Sequence, residues 1–187
     1  NESQKRLKFY IEFLRNLKSR HCFIFMTQQV DVPSEIIHTN EKGMNNIYII
    51  HEKIGQGGFS VVHRATDKNT NQQYAIKIIP KERYSNNRKI LYKLKNEIRI
   101  QKDLNHPNIV KSTASFSDER NQYMILEYCP GKSICDYLKK VQKDYLNESE
   151  TIKIIKDVLR GLLYLHNNKI IHHDLKLENF LIGSNGK

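Results

Sequence analysis

A chain of 187 residues with 39% apolar and 27% charged side chains can bury one sizeable core, and its composition excludes a disordered or fibrous class. No apolar run approaches the roughly 18 residues that a membrane-crossing helix needs, and no secretory leader is visible. The balance of 31 basic and 20 acidic residues gives a net charge of +11, spread along the chain without a nucleic-acid-binding motif, so the surface reads as generally basic rather than as a specific nucleic-acid reader. Cys22, Cys129 and Cys135 are an odd set without metal-ligand spacing, and read as reduced thiols of an intracellular protein, cytoplasmic or nuclear.

Residues 1–46 form a basic extension and linker. Between residues 5 and 20, Leu7, Tyr10, Ile11, Leu14 and Leu17 recur at helical spacing with Lys and Arg on the other face. That predicts an amphipathic helix, which either packs on the domain behind it or contacts a partner or an acidic surface. Phe23 to Met26 reads as a short strand, and residues 31–46, with Pro33, Gly43 and several Asn, as a linker. From Ile47 strand patterns take over: residues 48–54, 61–65 and 74–79, with a polar turn at 67–71. A helix over 88–104 follows, with Ile90, Leu94, Glu97, Ile98 and Gln101 on one face, and His106-Pro107 stops it. Strands at 110–116 and 123–128 flank a turn. Beyond Pro130-Gly131 the pattern is helical, over 133–141 and 148–167. Ile152, Ile155, Leu159, Leu162 and Leu163 predict a wide buried face on the second of these helices.

Three segments carry chemistry. In Gly55-Gln56-Gly57-Gly58-Phe59-Ser60-Val61-Val62 the missing Cβ atoms let backbone amides approach a phosphate, although a hairpin turn accounts for such a run about as well. Lys77 interrupts the apolar strand Tyr74-Ala75-Ile76-Lys77-Ile78-Ile79, where an outward-facing lysine on an edge strand is the plainer reading. Glu97, however, sits on the apolar stripe of the next helix, where an unpaired carboxylate is costly, and pairing it with Lys77 answers both anomalies. Finally, His172-His173-Asp174-Leu175-Lys176-Leu177-Glu178-Asn179 puts Asp, Lys and Asn at i, i+2 and i+5 between two apolar runs. Such a set can accept a hydroxyl proton, neutralise a phosphate and offer oxygen to a hard metal ion. His166, His172 and His173 lack the further ligands a zinc site needs.

In this order the three segments resemble the glycine-rich loop, the strand lysine and the catalytic loop of the eukaryotic protein kinase family, of serine/threonine type and closest in flavour to polo-like or calcium/calmodulin-dependent kinases. The resemblance covers residues 47–187. It implies an α+β two-lobe fold: a small lobe, 47–127, of antiparallel sheet with one helix, and the first part of a mainly helical lobe from 128, with ATP and Mg²⁺ between them. The implied activity is transfer of the ATP γ-phosphoryl group to a protein hydroxyl. The implied catalytic set is Asp174, Lys176, Lys77 and Glu97. The implied nucleotide set is Ile54, Gly55, Gly57, Gly58, Ser60, Val62, Ala75, Lys77, Glu127 and Cys129, with Leu126 as gatekeeper and Asn179 as metal ligand. The Lys two residues after Asp174 resembles serine/threonine rather than tyrosine kinases, and His172 is implied to be a packed core histidine.

The sequence departs from the family in three places. Ser60 replaces the third glycine, and His173 stands where an Arg usually binds activation-loop phosphate, so phosphorylation there is expected to matter little. The sequence ends at Lys187, before any Asp-Phe-Gly, so residues 1–187 by themselves are expected to bind ATP weakly and to leave an apolar face of the helix 148–167 exposed. The alternative to a kinase is a nucleotide-binding or scaffold module without efficient catalysis.

Overall fold

The structure, a computed structural model, describes residues 30–40 and 42–184. The helix expected at 5–20 and the strand at 23–26 lie outside the described residues. Among these residues, one compact unit runs to Tyr128 and a second begins at Cys129.

The first unit is a six-stranded antiparallel sheet with one helix. Its strands are β1 (Glu35–Thr39), β2 (Asn45–Gln56), β3 (Val61–Asp67), β4 (Gln73–Pro80), β5 (Ser112–Ser117) and β6 (Asn121–Glu127), in the order β1-β2-β3-β4-β6-β5. β1 corrects the reading of 31–46 as linker: only Ile36 and Ile37 are apolar in it, so its own pattern is weak. Pairing with β2 makes it a strand, Ile36 facing Tyr48, and buries Ile36. His38 of β1 stacks on Phe116 of β5 with ring centroids 4.3 Å apart, so the sheet closes on its core. The turn after β3 is built by Asp67, whose Oδ1 accepts from the amides of Asn69 and Thr70.

Period-2 alternation divides β4 and β6 between two cores. Ile76, Ile78, Tyr123 and Ile125 join Ile36, Tyr48, Val61 and Ala65 on one face. Ile79 and Met124, with Tyr84, pack on the other against Ile90, Leu91, Leu94 and Ile98 of helix α1 (Arg88–Asp103). Asn87 caps α1, accepting from the amides of Lys89 and Ile90. Gln101 Nε2 fastens its last turn to the Val110 carbonyl at 2.6 Å.

The second unit holds α2 (Ile134–Lys140) and α3 (Glu148–Asn167). Both start with reciprocal capping boxes, Ser133 with Asp136 and Asn147 with Glu150. The burial of α3 differs from expectation. Ile152, Leu159 and Leu163 are 42%, 51% and 61% exposed, whereas Thr151, Gly161 and Leu165 are buried. The periodicity identifies the helix, but the residues it buries are Thr151, Gly161 and Leu165 rather than the apolar set as a whole.

Candidate active site

The glycine loop is the connection between β2 and β3, closed by the pair Gln56–Val61 and by the Gly57 amide donating to the Ser60 carbonyl at 2.8 Å. A Cβ added at Gly58 would meet nothing within 4 Å, while one at Gly57 would lie 2.9 Å from Ser60 Oγ. Gly57, Gly58 and Phe59 are exposed, and Ser60 is buried beneath them. The loop therefore presents its backbone outward, with room above it for a ligand's oxygens.

Val62 lies opposite Lys77 in the β3–β4 register, and Ala75 lies opposite Leu126 in the β4–β6 register. β4 is central, flanked by β3 and β6, which rules out the edge-strand lysine. Alternation puts Lys77 on the same face as Ile79, toward α1, and its Nζ donates to Glu97 Oε1 at 2.5 Å. The Lys77 side chain is 24% exposed and that of Glu97 is 50% exposed. Burial therefore forces this pair less than the sequence suggests: Glu97 stands at the rim of the apolar stripe, partly in water. Ile54 is exposed at the end of β2. At the end of β6 the Glu127 amide donates to the Lys111 carbonyl at 2.9 Å, and Cys129 begins the next unit with its carbonyl accepting from the Lys132 amide.

In the second unit the residues after α3 turn sharply. Lys169 and His173 take left-handed φ angles of 60° and 62°, and His is among the side chains that tolerate this region best. The Asp174 amide donates to the His172 carbonyl at 2.9 Å and to His172 Nδ1 at 3.3 Å. His172 is exposed, which corrects its reading as a packed core residue: its ring serves the loop backbone instead. Asp174 Oδ2 accepts from Lys176 Nζ and from Asn179 Nδ2, both at 2.9 Å, and Asn179 Nδ2 also donates to the Asp174 carbonyl at 2.8 Å. Partial burial pushes the Asp174 carboxyl up, but the hydrogen bonds from Lys176 and Asn179 and the charges of Lys176 and His172 outweigh it and hold the group below the usual carboxylate range.

The sequence did not reveal what anchors this loop. Gly131 and Lys132 pair with Ile182 through the Gly131 amide to the Ile182 carbonyl at 3.0 Å and the Ile182 amide to the Lys132 carbonyl at 2.8 Å; the Ile134 amide binds the Phe180 carbonyl at 2.9 Å. A Cβ at Gly131 would lie 2.6 Å from Ile182 Cβ, so only glycine fits. The Gly in Pro130-Gly131 was the available signal, but it marks a turn without naming the partner across it.

Comparison with known proteins gives a consistent picture. The profile of the protein kinase domain family matches residues 48–187. The chain is 41% identical over 155 residues to a probable serine/threonine-protein kinase PLK of Dictyostelium discoideum, covering 83% of this chain and 16% of that protein. It is 38% identical over 151 residues to calcium-dependent protein kinase 5 of Plasmodium berghei, covering 80% and 26%. It is 38% identical over 168 residues to the meiosis-specific serine/threonine-protein kinase mek1 of Schizosaccharomyces pombe, covering 90% and 36%. The chain thus spans between about a sixth and about a third of the length of these relatives.

Proposed function

The chain belongs to the protein kinase domain family, and on that premise we propose that it is the ATP-binding and catalytic-loop part of a protein serine/threonine kinase. The observation that carries the proposal is the loop in which Lys176 and Asn179 hold one oxygen of the Asp174 carboxylate.

In this reading Asp174 receives the hydroxyl of a protein serine or threonine. The hydroxyl oxygen forms a bond to the γ-phosphorus as the bond to the β,γ-bridging oxygen breaks, and the hydroxyl proton passes to Asp174. A carboxylate held below its usual pKa is a weak base, so its main contribution is to orient the hydroxyl and to accept the proton late. That suits a loose transition state, in which positioning and charge neutralisation supply most of the rate. Lys176 places positive charge beside the transferred group. Lys77, held by Glu97, binds ATP phosphate oxygens, and the open backbone at Gly58, where no side chain intervenes, lets the loop cover them, with the Gly57 amide bonded to the Ser60 carbonyl to hold the loop's shape. Ile54, Gly55, Ser60, Val62 and Ala75 complete the nucleotide side, with the backbone of Glu127 and Cys129 at the adenine edge.

Magnesium fits Asn179. Its amide nitrogen is engaged by Asp174, and Oδ1 has no partner among the described residues. A single neutral oxygen suits an ion that keeps several waters and binds the substrate's phosphates. When bound, the ion neutralises charge on the phosphate oxygens.

Among the described residues no helix is long and apolar enough to cross a membrane. Cys22, Cys129 and Cys135 are an odd set without metal-ligand spacing, which supports a cytoplasmic or nuclear setting. Residues 5–20 are proposed to meet a partner or acidic surface. The function is tested with the full-length protein containing this chain, by transfer of labelled phosphate from ATP to a serine-bearing protein. Asp174→Asn is expected to lower kcat by about 10²–10⁴-fold. Equal rates in the two proteins would refute the assignment.

A further inference from the structure

The outer face of α1 carries charge that the kinase reading leaves unused. At about 100° per residue, Arg88, Tyr92, Lys95, Arg99 and Lys102 fall within about 80° of arc and form one stripe along the helix. All five are exposed, and Tyr92, midway along the N-terminal half of the stripe, is 68% exposed. None of the four cations in it has an ion pair or side-chain hydrogen bond among the described residues. Glu97, the one acid inside the helix before Asp103, faces away from the stripe and is taken by Lys77.

This arrangement is unfavourable for the helix by itself. Lys95 and Arg99 are like charges at i, i+4, and Arg99 and Lys102 at i, i+3. The first turn contains Arg88 and Lys89 and no acid, against the sense of the helix dipole. A solvated basic face is commonly relieved by interspersed carboxylates, and here there are none. We propose that the stripe is a docking surface for an acidic peptide segment of a partner protein.

Its dimensions and chemistry suit that occupant. The fourteen steps from Arg88 to Lys102 give about 21 Å at 1.5 Å each, the span of about six or seven extended peptide residues. A membrane surface fits less well. Of the helix's large apolar residues, Ile90, Leu91, Leu94 and Ile98 are packed in the core and Ile100 is half-buried and off the stripe, so Tyr92 alone offers the stripe an apolar group to insert into lipid. The chain's own residues 1–29 are predominantly basic and carry the wrong sign. The proposal is independent of catalysis.

The test is a fluorescence-anisotropy titration of a labelled octaglutamate peptide into the 187-residue chain at about 50 mM salt, where surface charge is weakly screened. Lys95→Glu/Arg99→Glu is compared with Lys153→Glu/Lys156→Glu on the exposed surface of α3, which changes net charge equally. The α1 variant is expected to weaken binding at least about tenfold and the α3 variant less than about threefold. The α1 variant should melt close to the parent chain, because positions 95 and 99 stay like-charged while 99 and Lys102 become opposite in sign. Should it fail to fold, the neutral pair Lys95→Gln/Arg99→Gln is read in its place, with a loss of at least about threefold expected. Equal losses in both variants would reduce the effect to net charge and overturn the proposal. Unchanged affinity in the neutral pair would overturn it too. Tighter capture of phosphatidylserine vesicles or duplex RNA than of the peptide, through the same residues, would replace the peptide as occupant.

Discussion

Lys77 shows how one side chain can be read correctly for a partly wrong reason. Its pairing with Glu97 follows from two charges placed on apolar patterns, yet Glu97 is half exposed, so the pair is not forced by the cost of a buried carboxylate. Removing the ammonium should therefore cost little stability: Lys77→Met is expected to change unfolding free energy by less than about 1 kcal/mol, as measured by urea denaturation. A loss of several kcal/mol would show that Glu97 depends on its partner far more than its exposure implies. Asp174 was legible as a type and a spacing. Its two ties to Lys176 and Asn179 were not, because sequence spacing places residues on a loop without orienting their side chains. His172 failed for a related reason. Its ring turns to the loop backbone, and no residue pattern distinguishes that from packing in a core.

Among the elements, those with strong periodic patterns were the legible ones. α3 has the bounds that its apolar spacing predicts, and β4 and β6 lie within two residues of the strands read at 74–79 and 123–128. β1 escaped because two isoleucines among polar residues make no pattern without β2. The buried face of α3 escaped because Thr151 and Gly161 carry little hydrophobic signal. Two elements yield predictions. The turn between β5 and β6 is tied by Tyr123 Oη donating to Asp118 Oδ2 at 2.7 Å, and burial, then this hydrogen bond, pushes the Tyr123 phenol up to about 12. A folded pKa above the unfolded value of about 10 stabilises the fold fully below that pH, and the contribution is lost as pH rises through about 12. Ultraviolet titration of the chain against its Tyr123→Phe variant should show one phenol ionising at about 12, with stability falling above about pH 10; a difference centred near pH 10 would contradict this. The second concerns the strap from Gly131 to Ile182. Gly131→Ala inserts a methyl into a 2.6 Å gap and is expected to cost about 1–3 kcal/mol in thermal unfolding, whereas Gly58→Ala, in open space, should not.

At the scale of the whole molecule, the α+β class and the kinase family were legible because three chemically distinct motifs occur in order, each on the kind of element its chemistry requires. The basic outer face of α1 was visible as residues, but it became a surface only once the inner face was seen to be filled by the core. The most direct test of the central claim is a calorimetric titration of MgATP into the 187-residue chain. Binding is expected to be weak but saturable. Lys77→Met should weaken it by about 10–100-fold, the loss of one charge-assisted contact to phosphate, and Asp174→Asn should leave it within about threefold, because the role proposed for Asp174 is on the acceptor hydroxyl. Undiminished binding in Lys77→Met would contradict the account.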